Sequence, residues 1–264
     1  MSQKRQTAVF DPQGDLRSQI TTLAHEYPAG HTIPLHFHDR DQLVFASRGV
    51  MTVRTDDGAW VVPTHRAVWI PGAVAHTITM SGVVSMRTIY LKRRLARSLP
   101  RDCSVVHVSA LLEELILHAC VLGSLNRAVR LDRPLIRLIV DQLQALSMVP
   151  LQLPNPSDPR ALRIAKILWN DPSDRRTLVA LCRSAGTSKR TAERLFQEDV
   201  GMTFVKWRQQ LRLMQAMRLL AEGAKVTHAA LESGYRTPSS FISMFRKTLG
   251  TTPTLYFRAD AKNK

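Results

Sequence analysis

The stretch "VTHAALESGYRTPSSFISMFRKTLGTTPTLYF", residues 226–257, decides the fold of the C-terminal part of the chain. It recurs in weaker form at residues 177–207, as "TLVALCRSAGTSKRTAERLFQEDVGMTFVKW". Each copy has an apolar helix, a glycine turn where a positive φ is expected, a Ser or Thr that can cap, and a second helix ending in Phe. The turns fall at Gly186 and Gly234. The pattern predicts two helix-turn-helix units, at 177–198 and 226–248.

Apolar residues at three- and four-residue steps give each unit a predicted inner face. These residues are Leu178, Leu181, Cys182, Ala192, Leu195 and Phe196 in the first unit, and Val226, Ala229, Ala230, Phe241 and Phe245 in the second. The second helix of each unit keeps a polar face, and a short helix held across another fits the major groove of DNA. The candidate DNA-binding residues are Lys189, Arg190, Arg194, Gln197, Ser239, Ser240, Ile242, Ser243, Arg246 and Lys247.

The charge of the chain supports an acidic partner. Its 264 residues carry a formal net charge of +16. Residues 158–264 hold 20 Lys and Arg against 9 Asp and Glu, whereas residues 1–157 hold 17 against 12. A basic soluble enzyme or a plain helical bundle with a charged face would share part of this pattern. Two helix-turn-helix copies in the basic half favour double-stranded DNA as the partner.

A proline-rich segment, "SMVPLQLPNPSDP" at 147–159, marks a boundary. We therefore predict an N-terminal domain at 1–150, a linker at 151–159 and a DNA-binding domain at 160–258. The chain from about 17 to 91 has the short apolar and alternating runs of an all-β barrel or sandwich. Two apolar helical segments follow, at 109–125 and 134–146. They either cap the barrel or form a dimer face.

Histidines suggest a site in the N-terminal domain, within "GHTIPLHFHDRDQLVFASRG" at 30–49. His36 and His38 would share one face of a strand, Gln42 follows, and His76 comes after a Pro-Gly turn. Three neutral imidazoles and an amide oxygen suit Zn, Ni, Co or Fe(II). The same residues could instead hydrogen-bond an effector without metal, or be core histidines with no ligand role.

The C-terminal region resembles the DNA-binding domain of the AraC family of bacterial transcription regulators. Residues 204–223 are similar to the family's joining helix, and the terminal signature matches at Gly234, Tyr235, Phe241, Phe245, Gly250 and Pro253. Ser243 departs from it, since some members carry a longer polar side chain there that reaches a base. The second helix of the unit at 226–248 is therefore expected to recognise DNA more by its shape and by phosphate contacts than by hydrogen bonds to bases.

The N-terminal spacing resembles the first cupin motif, with Gln42 where Glu is usual, and "PGAVAH" at 71–76 resembles the second. The resemblance to AraC-type regulators implies a two-domain fold, with a cupin-like barrel plus helices for effector binding and dimerisation, then an all-α DNA-binding domain. It predicts a transcription regulator, activator or repressor, with no catalytic residues. The partners expected are promoter or operator DNA, a small-molecule effector and, for an activator, RNA polymerase. The alternative is a metal-dependent cupin enzyme, dioxygenase- or isomerase-like, carrying a DNA-binding domain.

The expected location is the cytoplasm. The three cysteines, Cys103, Cys120 and Cys182, have no metal-type spacing and suit a reducing compartment. No signal core and no apolar run near the ~18–20 residues of a membrane helix is found.

Overall fold

The computed structural model describes residues 8–9, 17–93, 95, 99–146, 148–149 and 151–259. The chain forms two compact units. One contains Met1–Asp56 and Trp60–Pro150, and the other contains Leu151–Lys264 together with Asp57–Ala59. Over the described residues, no helix combines the length and apolar composition needed to cross a bilayer.

The first unit is rich in β-structure, as predicted. The strands are β1 (Ala8–Val9), β2 (Ile20–Tyr27), β3 (Thr32–Phe37), β4 (Asp41–Arg54), β5 (Gly58–Val62), β6 (Arg66–Ile70), β7 (His76–Leu91), β8 (Ser104–His107), β9 (Ser124–Leu125) and β10 (Met148–Val149). They pair in the order β1-β3-β7-β4-β6-β8-β10, and β2 also pairs with β7. Apart from the parallel pair β1–β3, the registered pairs of this unit are antiparallel.

The expectation of short strands is wrong for β4 and β7, which run for 14 and 16 residues. Their pairing shifts register on both sides of Arg48, and such irregularities let a long strand bend instead of ending. Gly49 lies at this point with a φ of 81°. A Cβ there would overlap the carbonyl oxygen of Val83, so glycine permits the close approach of the two strands.

One face of the sheet packs against two helices, α1 (Ala110–Leu122) and α2 (Asp132–Gln144). The apolar core that they share includes Leu43, Phe45, Ile89, Leu91, Leu112, Ile116, Ile136 and Ile139. Because side chains alternate along a strand, Gln42 and Tyr90 point to the opposite face. That face carries the candidate site.

The second unit is helical, and it contains both predicted helix-turn-helix units. Helices α4 and α5 form the first, α7 and α8 form the second, and α6 joins them. The helices are α3 (Pro159–Asn170), α4 (Leu178–Ala185), α5 (Lys189–Asp199), α6 (Phe204–Ala221), α7 (Val226–Glu232), α8 (Pro238–Leu249) and α9 (Pro253–Ala259).

The turns and caps follow the local sequence. Gly186 and Gly234 have φ of 65° and 82°, a region that favours glycine. Ser188 caps α5 by accepting the Thr191 backbone N–H. Thr237 caps α8 in the same way, with Pro238 in the first turn, where its missing N–H costs little.

The predicted inner faces are buried except at their first positions. Leu181, Cys182, Ala192, Leu195, Phe196, Ala229, Ala230, Phe241 and Phe245 are buried. Leu178 and Val226 are only half-buried, because each opens its helix and lies at the edge of the core.

The predicted linker at 151–159 falls within the second unit, and part of it has regular structure instead of running as a bare spacer. It contains strand β11 (Gln152–Pro154), with Leu151 and Leu153 buried. The indole N–H of Trp207 donates a 2.9 Å hydrogen bond to the Pro154 carbonyl. Two alternating leucines explain the difference, since burying them stabilises the segment more than solvation would.

Candidate functional site

The structure brings the three predicted histidines of the N-terminal unit together. His36 lies on β3, directly opposite His76 on β7, and His38 follows the end of β3. All three are buried. Their potential ligand nitrogens lie within 4.8 Å of one another. The ring centroids of His36 and His76 are 4.3 Å apart, and that of His38 lies 4.9 Å and 5.5 Å from them.

Backbone carbonyls fix which ring nitrogen of His36 and of His76 carries the proton. Nδ1 of His36 lies 2.7 Å from the Pro34 carbonyl, and Nδ1 of His76 lies 2.9 Å from that of Val74. A carbonyl only accepts, so each Nδ1 carries the proton and each Nε2 keeps a lone pair. Burial lowers the pKa of both rings, that of His76 to about 3. Both imidazoles are therefore neutral near pH 7, the form that binds metals.

Gln42 is connected to this cluster by Tyr90, which lies opposite Gln42 on the neighbouring strand and next to His38. The Tyr90 ring centroid is 4.9 Å from that of His38, and the Gln42 side chain hydrogen-bonds the Tyr90 hydroxyl. Burial raises the pKa of Tyr90, so the hydroxyl stays protonated. Oε1 of Gln42 and Nε2 of His76 are buried without a hydrogen-bond partner among the described residues. Sequence reasoning missed Tyr90, because nothing local reveals its register with Gln42.

These side chains fit a transition metal. Three imidazole nitrogens, in the neutral form that binds metals, and an amide oxygen are donors for Zn, Ni, Co or Fe(II). The set of close ligand atoms contains three histidines and, within the described residues, no carboxylate. The neighbouring Asp41 carboxylate accepts instead a 2.8 Å hydrogen bond from the Gly72 N–H.

In the second unit, the candidate residues of α5 are all exposed. Lys189 pairs with Glu193 at 3.6 Å, and Arg194 with Glu198 at 2.6 Å. Exposed pairs one helical turn apart contribute little to stability, so both cations remain free to exchange partners. Arg190 makes no hydrogen bond or ion pair with the described residues.

The candidate residues of α8 form a second exposed surface. Ser239, Ser240, Ser243, Arg246 and Lys247 are exposed and Ile242 is half-buried. With the exception of Ser240, they line a concave surface of 530 Å³ together with Thr252. Ser240 lies in a larger cleft of 910 Å³ that reaches from α5 across α6 to the start of α8. Arg208 and Tyr235, which also line it, were not among the predicted site residues.

Comparison with known proteins assigns both units. The family described as "AraC-like ligand binding domain" matches residues 20–157, and "Helix-turn-helix domain" matches residues 181–259. The HTH-type transcriptional regulator NimR of Escherichia coli is 30% identical over 247 residues, which cover 94% of this chain and 90% of NimR. The regulator RipA of Corynebacterium glutamicum is 31% identical over 103 residues, 39% of this chain and 31% of RipA.

Among solved structures, fatty-acid-bound ToxT of Vibrio cholerae is 14% identical, covers 90% of this chain and 94% of its own, and has a TM-score of 0.38. The DNA-binding domain of AdpA, solved with a target DNA, is 28% identical, covers 41% of this chain and 97% of its own, and has a TM-score of 0.38.

A ligand-binding domain followed by a helix-turn-helix DNA-binding domain defines the class: a DNA-binding transcription regulator. The chain belongs to the AraC family of these regulators. This confirms the family and the two-domain fold expected from the sequence.

Proposed function

We propose that a small molecule in the N-terminal unit modulates DNA binding by a homodimer of this chain, and that His36, His38, Gln42 and His76 hold one divalent metal in the effector pocket. The observation that supports the site is the convergence of three buried histidine nitrogens within 4.8 Å. Effector and DNA are then linked by a coupling free energy between two sites.

The ligand set favours binding over turnover. Four neutral donors leave the full charge of a divalent ion, which attracts an anionic or heteroaromatic effector to an open coordination position. No carboxylate base stands in the cluster of described residues, which is why we propose a sensor and not a metal-dependent enzyme.

Metal analysis of purified full-length protein tests the site. We expect about one Zn, Ni, Co or Fe per chain, and loss of that metal in His38→Ala and in His76→Ala. His118→Ala is the matched control, since His118 is exposed on α1 outside the cluster. Loss of metal is expected to abolish the effector response and to leave basal DNA binding intact. Protein that neither carries nor takes up these metals would leave the histidines as hydrogen-bonding pocket residues.

A homodimer through α1, α2 and the segment between them is supported by exposed apolar side chains there. They are Leu111, Val121, Leu122, Val129, Leu131 and Leu138, and Val121 and Leu131 are 84% and 79% exposed. Six exposed large apolar side chains between residues 111 and 138 are more than a scatter of single exposed residues, and such a concentration favours an interface. Replacing Val121 or Leu131 by Glu is expected to shift sedimentation toward monomer.

Paired protomers would occupy paired DNA half-sites near a promoter in the cytoplasm. Sites that overlap the promoter give repression, and sites beside it give contact with RNA polymerase and activation. Selecting genomic fragments on the purified protein and sequencing them tests the DNA specificity directly.

A further inference from the structure

A cleft with excess positive charge lies between the two helix-turn-helix units. Its volume is 910 Å³, and its floor is α6. One wall is α5 and the other is the turn leading into α8. Its lining carries the cations Lys189, Arg208, Arg212 and Arg236 against one carboxylate, Glu193, which pairs with Lys189, and it also contains Gln209 and Tyr235.

The arginines in the floor are held in place without being neutralised. Arg208 donates to the backbone carbonyls of Asp174 and Arg176, and Arg212 donates to that of Asp174 at 2.9 Å. The Asp174 carboxylate is 2.6 Å from Arg176 and 3.9 Å from Arg208. One carboxylate thus lies within 4 Å of two guanidinium groups, while Arg212 contacts only the backbone carbonyl of the same residue. The carbonyls orient the cations but leave net positive charge beneath the cleft.

Burial makes this charge costly. Desolvation lowers the pKa of both Arg208 and Arg212, which means that their charged forms are less well solvated than in water. The Tyr235 hydroxyl in the wall is buried and has no hydrogen-bond partner among the described residues. Arg236, at the rim, is exposed and pairs with none of the described acidic groups. An anion in the cleft would offset these costs.

We propose that the cleft receives the sugar-phosphate backbone between the two major grooves read by α5 and α8, with Arg236 and Gln209 positioned to contact phosphates. The inference rests on the proposed function, with α5 and α8 each placed in a major groove as the sequence predicts. Successive major grooves on one face of a duplex are roughly 34 Å apart, and the minor groove with its two strands lies between them. The surface of this unit between the two recognition helices is the cleft. Phosphate contacts there would fix register without reading bases.

Charge changes in the cleft provide the first test. In the full-length chain, Arg236→Ala and Gln209→Glu should each lower affinity for a footprinted operator roughly tenfold, and Arg236→Ala should reduce the salt slope by about one. Gln215→Glu is the control, because Gln215 lies on the same helix outside the cleft and accepts from Arg218. Equal effects of the two glutamate variants would contradict the proposal.

DNA in which single phosphates are replaced by uncharged methylphosphonates shows which phosphates the cleft contacts. Single methylphosphonates between the two grooves should weaken wild-type binding but cause little further loss in Arg236→Ala. Equal losses in both proteins, with a specific footprint retained, would overturn the cleft proposal and leave the proposed function standing. Absence of any specific footprint would instead overturn the proposed function. A third outcome would also overturn the proposal: inorganic phosphate competes with DNA at matched ionic strength, but methylphosphonates weaken the wild type and Arg236→Ala equally. The cleft would then bind small anions and not the DNA backbone.

Discussion

Arg212 on the long helix α6 donates a 2.9 Å hydrogen bond to the backbone carbonyl of Asp174, in the segment that leads into the first helix-turn-helix unit. The Nε of the same arginine lies against Gly234, in the turn of the second unit. One side chain therefore joins the segment before the first helix-turn-helix unit to the turn of the second, and it helps to set their relative position.

Loss of that side chain should loosen the helical unit. Arg212→Ala removes one of two charged donors to the Asp174 carbonyl, the other being Arg208. Since a hydrogen bond from a charged group stabilises by about 1.5–3 kcal/mol, we expect a cost of about 1–3 kcal/mol in the free energy of unfolding. Lys206→Ala, at an exposed position of the same helix, should change it by less than about 0.5 kcal/mol. Denaturant unfolding of the full chain, followed by the loss of helical circular dichroism, measures both. Equal unfolding midpoints for the wild type and Arg212→Ala would show that the Arg212 side chain does not stabilise the helical unit.

Gly234 should be hard to replace, for two separable reasons. Its φ of 82° strains any residue with a Cβ, and a Cβ there would lie 2.8 Å from Nε of Arg212 and 3.0 Å from the Pro172 carbonyl. Gly201 has a φ of 74° but open space around it. Gly201→Ala thus isolates the backbone cost, about 1 kcal/mol, and Gly234→Ala should exceed it by at least about 1 kcal/mol. Comparable losses would rule out the steric contribution.

On the first recognition helix, α5, Arg190 and Arg194 are predicted to contact bases, whereas Lys189 is predicted to contact phosphate. Arg190→Ala and Arg194→Ala should cost about 1–3 kcal/mol of binding and relax sequence preference at one end of the half-site. Arg194 must leave Glu198 to do so, so the loss at Arg190 is expected to be larger. Lys189→Ala should weaken all sequences alike and flatten the salt slope. Selection of randomised sites, compared between variants, shows the difference. An unchanged footprint and affinity for both arginine variants would mean that this face does not meet DNA.

The helix-turn-helix units could be predicted because their signals are local. A cap, a glycine and an apolar step of three or four residues fall within about twenty positions, as Ser188, Gly186 and Leu195 illustrate. The histidine cluster was partly predictable for the same reason, since His36 and His38 are two residues apart.

Other features depended on pairing between distant segments. The register that sets Tyr90 opposite Gln42 joins residues 48 positions apart in the chain, and no short pattern encodes it. The same holds for Arg208 and Arg212, whose carbonyl partners near Asp174 lie 34 and 38 positions away. The sequence predicted short strands in place of the long β4 and β7. Glycine usually marks the end of a strand, but Gly49 accommodates a bend within a strand that continues.

The proline-rich segment affects where the DNA-binding unit can be cut. Ser157 donates from its backbone N–H to the Asp199 carboxylate at 2.6 Å, and Leu151 and Leu153, which are buried in the full chain, belong to the same unit. A fragment from 151 should therefore unfold at higher denaturant than one from 158, since each buried leucine stabilises by roughly 1.5–3 kcal/mol. Both fragments are expected to be monomeric and to bind a half-site weakly. The full chain should bind paired sites more tightly through effective concentration. Leu153→Ala in the longer fragment should remove most of its advantage, whereas the exposed Gln152→Ala should not. Sedimentation showing either fragment to be as dimeric as the full chain would move the dimer interface out of the N-terminal unit.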